Sequence, residues 1–397
     1  GDIRIPRAAA GIALHGDTVQ VDILKTRTGG LQGAVHRVLR HANERIVGRI
    51  SHQGRYSVVV PKNPRINRLL EIRRRIDPAE VPDGAWVVVQ VTRWSASPAD
   101  PLHGRLEEVL GIDGDRGLPI LLLIRGAGVP DDFPPEVEAE AEALLREPVP
   151  RPGRDRRDFR SRRIFTIDPA TAKDFDDAVE LIEELPDGWR VGVHIADVAH
   201  YVRPGTRLDE EAYRRATSIY PVDRVIPMLP EPISNYLCSL REGEDKNTMS
   251  VLFTVAATGE VRDVELCRSV IRSVRRFTYE QAQALFDEAD QSAGIVTALR
   301  RRPLPVPEVA DELRADLFRL RLAARALSAA RFGRGALDLD LPEPEFIFDA
   351  EGRPIGLHHA EHFEAHRLIE ELMVATNEAV ARELERRGLP ALFRVHE

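Results

Sequence analysis

Short runs in which hydrophobic and polar residues alternate dominate the first 111 residues of this chain, and a period of two predicts β-strands. Residues 1–30 give a strand–turn–strand pattern around a Gly-Asp pair. Residues 46–111 contain four more strand-like runs, which read IVGRIS, YSVVVP, WVVVQVTRW and GRLEEVLG. Short strands broken by Gly, Asn and Pro are typical of an OB-type barrel. We therefore expect a partial barrel over residues 1–42 and a more complete one over residues 43–115.

Strand and helix patterns are mixed in the rest of the chain. Leucines at helical spacing predict a long helix over residues 308–331, and these leucines are Leu313, Leu317, Leu320 and Leu327. Thr278 and Gln281 have the spacing of a capping box, which predicts a helix start. GALDLDLPEPEFIFD predicts a pair of strands, and residues 366–388 predict a last helix. The predicted fold class is α+β, with the barrels followed by a mixed domain over residues 164–397.

A connector over residues 116–163 is expected to join the barrels to the mixed domain. It contains DDFPP, residues 131–135, which should open a helix whose acidic first turn suits the helix dipole. The run RPGRDRRDFRSRR follows, with seven arginines over residues 151–163. Such a run of charged residues most often forms a solvated linker. Contact with phosphate is the alternative, because the run leads directly into a predicted strand.

The stretch FTIDPATAKDFDDAVE, residues 165–180, carries four aspartates within ten positions: Asp168, Asp174, Asp176 and Asp177. Proline cannot donate to a strand ladder, so the strand before them should end at Pro169 and leave the carboxylates on a loop. Crowded carboxylates raise one another's pKa values unless a cation lies between them. Oxygen ligands without Cys or His favour Mg²⁺ or Mn²⁺. The alternative is a solvated acidic loop in which an aspartate caps a helix.

Two other metal sites fit the sequence less well. A calcium EF-hand needs Gly at its sixth position and Glu at its twelfth, and neither is present when counting starts at Asp168 or at Asp174. His194, Asp197 and His200 lie close together in the sequence, but histidine is a poor ligand for Mg²⁺. We expect these three to be hydrogen-bonded structural residues. Asp197 could in addition orient the aspartates without binding the metal itself.

Four ordered segments together resemble one known family. They read DPATAKDFDDA (168–178), HIADVAHYVRPGTRLDEEAYRRATSIY (194–220), VIPMLPEPISNYLCSL (225–240) and HRLIEELMVATNEAVARELERRG (366–388). They resemble the ribonuclease II / ribonuclease R family, whose catalytic motif is close to DPxxAKDFDDA. The resemblance covers most of the chain from about Ile164 onward. A weaker likeness to the cold-shock domains of that family covers the beginning.

The resemblance implies an RNB catalytic domain that hydrolyses single-stranded RNA processively from its 3′ end and releases 5′-nucleoside monophosphates. The four aspartates would be the catalytic residues and would hold Mg²⁺ or Mn²⁺ as the cofactor.

The resemblance also implies contacts with RNA. Tyr220 matches a tyrosine that stacks near the 3′-terminal base, and Tyr279 matches one near the substrate path. Glu370 or Glu371 could read a ribose hydroxyl. The alternatives are a buried core tyrosine at 279 and an exposed helical glutamate. Leu339 stands where the family often has a phenylalanine that clamps the terminal bases together with the stacking tyrosine.

The barrel pattern adds two candidates for RNA binding. Tyr56 lies in the second strand of the more complete barrel, and Lys62 lies at the turn that follows. An aromatic face beside basic groups suits single-stranded nucleic acid, because stacking and phosphate contacts do not depend on base sequence. The alternative is that Tyr56 packs inside the barrel.

Charge is unevenly distributed along the 397 residues. The net charge is −8, yet residues 1–100 hold 16 Lys and Arg against 9 Asp and Glu. A basic front and an acidic centre suit a path for RNA that leads to a metal site. The chain has no run of about 18 apolar residues, so we expect no membrane span. Two cysteines are too few for a disulfide framework, and we expect a monomer in a reducing cytoplasm.

The sequence ends in FRVHE, residues 393–397, and it does not begin with Met. In the family that it resembles, a charge-neutralising arginine and an S1 domain follow this point. We therefore expect a member truncated at both ends, with low activity in this chain. The alternative is a catalytically impaired, RNA-binding member of the same family.

Overall fold

The computed structural model describes residues 2–25, 31–147, 152–153, 155–222, 224–293, 304–337, 344–349, 354–359 and 361–394. The chain forms two compact units. The first comprises Gly1–Asp132 with Ile219–Ile226, and the second comprises Phe133–Ser218 with Pro227–Glu397. None of the described helices combines the length and the apolar character that a bilayer crossing requires.

The first unit is built mainly of strands. They are β1 (Thr18–Lys25), β2 (Leu31–Arg40), β3 (Arg45–Gln53), β4 (Tyr56–Pro61), β5 (Leu70–Ile72), β6 (Trp86–Arg93) and β7 (Leu102–Gly111). The first two form an antiparallel pair, and the other five close into a barrel in the order β3-β4-β5-β7-β6. The four predicted runs form β3, β4, β6 and β7. The fifth strand, β5, has only three residues and leaves no alternating pattern in the sequence.

The barrel closes around side chains that point inward from alternate positions of its strands. Its core includes Ile46, Ile50, Val59, Leu70, Val87, Val89 and Leu102. Gly48 allows β3 to approach β4 closely, because a Cβ there would lie 2.5 Å from Cγ1 of Val59 and 2.5 Å from the backbone oxygen of Val60. This architecture confirms the predicted OB-type barrel.

The beginning of the first unit differs from the predicted strand–turn–strand pattern. Residues 12–15 are not a strand, and β1 pairs with β2 instead. Gly16, with a φ of +85°, turns the chain into β1. The carboxylate of Asp17 accepts hydrogen bonds from the backbone N–H groups of Leu14 and Ala42. These bonds stabilise the turn, so the residues before it do not extend.

Two helices lie within the predicted connector. Helix α1 (Leu118–Gly126) belongs to the first unit and packs on the barrel through residues that include Leu122. Helix α2 (Pro135–Leu145) belongs to the second unit and has the predicted acidic first turn, with Glu136 and Glu138. The sequence of α1 is almost continuously apolar, so it shows no helical period.

The second unit contains eight strands in its described residues. They are β8 (Arg157–Asp158), β9 (Ile164–Asp168), β10 (Asp177–Leu185), β11 (Gly188–Ala196), β12 (Asp245–Ala256), β13 (Val261–Thr278), β14 (Pro344–Phe348) and β15 (Pro354–His359). Of the pair predicted within GALDLDLPEPEFIFD, the second strand is confirmed as β14, which pairs with β15 from outside that stretch. Residues 338–343, where the first strand was predicted, lie outside the described residues.

Besides α2, the described helices of this unit are α3 (Val198–Tyr201), α4 (Arg207–Arg215), α5 (Tyr279–Ser292), α6 (Asp311–Gly333) and α7 (Glu364–Arg386), with a π-helix at Pro232–Leu237. The prediction of a long helix with a buried leucine stripe is confirmed in α6. Its stripe is Leu313, Leu317, Leu320 and Leu327, and all four are buried.

Strand β13 organises the sheet of the second unit, whose order is β12-β11-β10-β9-β13-β8. The first part of β13 is antiparallel to β12, and its last residues, Ser273–Thr278, run parallel to β9. Because β13 pairs with both β12 and β9, the strands β12-β11-β10-β9-β13 close into a ring. One face buries Phe165, Phe253 and Phe277 against residues of α5, α6 and α7.

The arginine run before β9 forms ion pairs within the second unit. The pairs are Arg156–Asp197, Arg162–Glu180 and Arg163–Asp316. All three carboxylates are buried and therefore need a charged partner. For these arginines the solvated linker is therefore wrong, and contact with phosphate stays a prediction. Arg151 and Arg154 lie outside the described residues.

His194 and Asp197 have the structural roles that the sequence predicted. His194 is fully buried, and its Nδ1 lies 2.6 Å from Oγ of Ser250. Its Nε2 lies 3.2 Å from Oε1 of Glu180. These two contacts link β10, β11 and β12 inside the sheet.

Candidate active site

The four aspartates follow from the way β9 ends. The strand ends at Asp168, before Pro169, and Asp168 lies beside Thr278 of the parallel strand β13. A short loop then leads to Asp177, the first residue of β10, which is opposite Ile195 of β11. Because β9 and β10 are neighbours, the loop brings its two ends back to one edge of the sheet.

Residues just after the π-helix hold the second half of this loop. The Oγ of Ser239 accepts a hydrogen bond from the backbone N–H of Phe175 and donates one to the carbonyl of Lys173, both at 3.0 Å. The N–H of Leu240 donates to the carbonyl of Phe175 at 2.8 Å. The backbone between Lys173 and Asp176 is therefore fixed from outside the loop.

Arg276 of β13 contacts the loop from the other side. Its Nη2 donates to the carbonyls of Pro169 at 2.7 Å and Ala170 at 3.2 Å. Its guanidinium carbon lies 4.9 Å from the ring centroid of Phe175. Sequence reasoning missed Arg276, because its approach to the loop depends on a pairing of strands far apart in the chain.

Three of the aspartates have raised pKa values. The pKa of Asp168 rises to about 6, chiefly because its carboxyl is buried, while the positive charge of Arg276 opposes the charges of Asp176 and Asp174. The pKa of Asp177 rises to about 7 through burial and the charges of Asp168 and Asp176. Burial and the charge of Asp174 raise that of Asp176. The residues therefore form one electrostatic group.

The chemistry of these side chains fits Mg²⁺ or Mn²⁺, which prefer oxygen ligands. Asp168 is only 7% exposed, and its Oδ2 has no hydrogen-bond partner among the described residues. A buried carboxylate oxygen without a partner is an available metal ligand. In the same residues, however, no three His, Cys, Asp or Glu side chains are gathered closely enough to hold a metal ion. The cofactor stays a prediction.

Tyr279 is linked electrostatically to the aspartates. Tyr279 opens α5 behind the Thr278–Gln281 capping box, which the sequence predicted correctly. Burial, followed by the charges of Asp177, Asp168 and Glu370, raises the pKa of the Tyr279 phenol.

The two neighbouring glutamates of α7 differ in their environment. Glu370 is exposed, and its Oε1 lies 2.8 Å from Nε2 of His362. Glu371 is buried and pairs with Arg331 of α6. Of the two, Glu371 is therefore a structural residue, and Glu370 is the one available to a ligand.

Three further residues predicted to contact RNA are in the first unit. Tyr56 on β4 is 43% exposed, so the alternative that it packs inside the barrel is wrong. Lys62 is also exposed. Tyr220, in the segment Ile219–Ile226, is 69% exposed. Leu339 lies outside the described residues.

Comparison with known proteins gives the family of the chain. Residues 156–397 match the model of the RNB domain, and residues 59–134 match that of the cold shock domain. The chain is 36% identical to ribonuclease R of Aquifex aeolicus over 397 residues, which are 100% of this chain and 54% of that relative. The chain thus spans about half the length of the curated relatives it matches.

Solved structures agree with this assignment. RNase R of Mycoplasma genitalium, in complex with ribose methylated single-stranded RNA, has a TM-score of 0.82 and 26% identity, over 100% of this chain and 60% of that one. A yeast pseudonuclease has a TM-score of 0.59 and 17% identity, over 96% of this chain and 45% of that one, and shares the fold alone. The match to the RNB domain covers more than half of the sequence, and the chain therefore belongs to the RNB-domain family.

Proposed function

We propose that this chain is a metal-dependent 3′→5′ exoribonuclease that hydrolyses single-stranded RNA to 5′-nucleoside monophosphates. The observation that carries the proposal is the electrostatic group of Asp168, Asp176 and Asp177 at one edge of the RNB-domain sheet. Relatives named ribonuclease R and the RNA complex of the Mycoplasma enzyme support it.

The aspartates would hold Mg²⁺ or Mn²⁺, with the free oxygen of Asp168 and the carboxylates of Asp174, Asp176 and Asp177 as ligands. When bound, such ions lower the pKa of water and stabilise the charge on the leaving 3′-oxygen. The protein itself fixes the loop through Ser239 and keeps the neighbouring Tyr279 phenol protonated.

RNA would be bound through stacking and charge. We assign stacking to the exposed rings of Tyr56 and Tyr220, and contact near the reacting end to Tyr279. Lys62 would contact phosphate, and Glu370 would accept a hydrogen bond from a ribose 2′-hydroxyl. Stacking and phosphate contacts are tolerant of base sequence, as a processive exonuclease requires.

A direct test uses single-stranded RNA labelled at its 5′ end, with a DNA strand of the same sequence as the control. We expect Mg²⁺-dependent shortening of the RNA and release of 5′-mononucleotides. Internal cleavage, or equal hydrolysis with EDTA present, would contradict the proposal.

A second candidate function is RNA binding without catalysis. One observation favours it: in the described residues, no three potential ligand side chains gather at a metal-binding distance. The two functions differ in metal affinity, which Mn²⁺ titration followed by electron paramagnetic resonance measures without RNA. Saturable binding supports the exonuclease, whereas RNA binding without Mn²⁺ binding supports the second candidate.

A further inference from the structure

One arginine side chain contacts both ends of the aspartate loop. Residues 169–175 separate Asp168 from the Asp176–Asp177 pair. Arg276 binds the first two of these residues through the carbonyls of Pro169 and Ala170. Its guanidinium carbon also lies over the ring of the last one, Phe175.

The position of Arg276 is itself fixed. Its backbone N–H donates to Oε2 of Glu242 at 2.8 Å, and it lies opposite Thr166 where β13 runs parallel to β9. The Nε of Arg276 is buried, with no hydrogen-bond partner in the described part of the chain. The side chain therefore projects from a rigid strand onto the loop.

The contacts require a guanidinium group. A planar guanidinium can donate to neighbouring carbonyls from its edge while its face lies against an aromatic ring. A lysine ammonium keeps the charge but has no such plane. Replacement of Arg276 by lysine thus separates the shape of the group from its charge.

We propose that Arg276 is a positioning residue that sets the spacing between Asp168 and the Asp176–Asp177 pair, and thereby the affinity of the site for divalent cations. The inference rests on the proposed function in one respect, namely that these aspartates bind such cations.

The test measures Mn²⁺ binding by electron paramagnetic resonance in the absence of RNA, using the wild type, R276K, R276Q and R272Q. Arg272 is a matched control, because it lies on the same strand and pairs with Asp245, which Arg160 also binds. Loss of an outer residue that orients metal ligands typically weakens metal binding by about 10–100-fold, and we expect R276Q and R276K to fall in this range. R272Q should bind Mn²⁺ like the wild type.

Three outcomes distinguish the possibilities. Weak binding by both Arg276 variants, with thermal unfolding still cooperative, supports the inference. Wild-type affinity in R276K or R276Q overturns it, whether or not the protein hydrolyses RNA. Absence of Mn²⁺ binding in the wild type overturns the proposed metal site and this inference with it.

Discussion

The ring of Tyr279, at the start of α5, stacks on the imidazole of His366, in the first turn of α7, with ring centroids 3.8 Å apart and planes 18° from parallel. His366 also accepts a hydrogen bond at Nδ1 from the backbone N–H of Phe363, so its side chain helps to cap the N-terminus of α7. The contact thus joins two helix starts beside the aspartate site.

Replacing His366 by alanine should destabilise the second unit. The variant loses an aromatic stack and a bond to a helix terminus, each worth about 1 kcal/mol. Chemical denaturation measures the change in the free energy of unfolding. H362A is the control, because His362 is half exposed and caps no helix. Equal stability of H366A and H362A would contradict the prediction.

The ion-free protein should lose stability as the pH rises from about 4 to about 7 because of its aspartates. The folded-state pKa values of Asp168 and Asp177 are about 6 and about 7, above the ordinary 3.8. The folded state therefore binds more protons in this window, and raising the pH favours unfolding.

Thermal unfolding in EDTA at pH 5 and pH 8 checks this sign. The pKa of His366 is lowered in the folded state, which makes stability rise with pH and so opposes the effect of the aspartates. To isolate the contribution of Asp177, the wild type should be compared with D177N. We expect D177N to lose less stability than the wild type between the two pH values. Added Mg²⁺ should stabilise the wild type at pH 8 far more than at pH 5. A steeper loss in D177N would contradict the assignment.

Asp176→Asn should abolish most hydrolysis while RNA binding is largely kept. The substitution removes a negative charge from the metal site, and loss of one stabilising group in a hydrolytic site typically costs about 10²–10³ in rate. Single-turnover hydrolysis and fluorescence anisotropy measure the two effects separately. E183Q, an exposed position on β10, is the control. An equal loss of rate and affinity would show that Asp176 mainly supports the fold or the RNA path.

RNA affinity should fall steeply with salt and depend little on base sequence. Each phosphate contact that is lost reduces the slope of log K against log salt by about 0.7 for single strands, and we expect this change for K62Q. Y56A should weaken binding by about 1–3 kcal/mol at all salt concentrations, because it removes a stacking surface. Anisotropy titrations between low and high salt test both variants. An RNA affinity that does not change with salt would contradict the prediction that the basic first 100 residues bind RNA phosphates.

Sequence alone predicted the features whose causes are local. Pro169 ends β9, Thr278 and Gln281 cap α5, and the leucine stripe identifies α6, because each depends on neighbouring residues. The aspartate loop was also found from its own residues.

Features that depend on distant partners were missed or misread. The arginines before β9 have buried partners on β10 and α6 and after β11, which no local pattern contains. Arg276 reaches the loop only through the parallel pairing of β13 with β9. The domain limits, the monomeric state and the cytoplasmic location stay predictions.

The double pairing of β13 has a consequence for the order of events during synthesis. Residues of β9 precede their partners on β13 by more than one hundred positions, and contacts between distant parts of a chain form late. A growing chain on the ribosome has its aspartates long before it has Arg276 or the Thr278 cap. We therefore expect the aspartate loop of the nascent chain to reach its final geometry only after β13 has emerged from the ribosome.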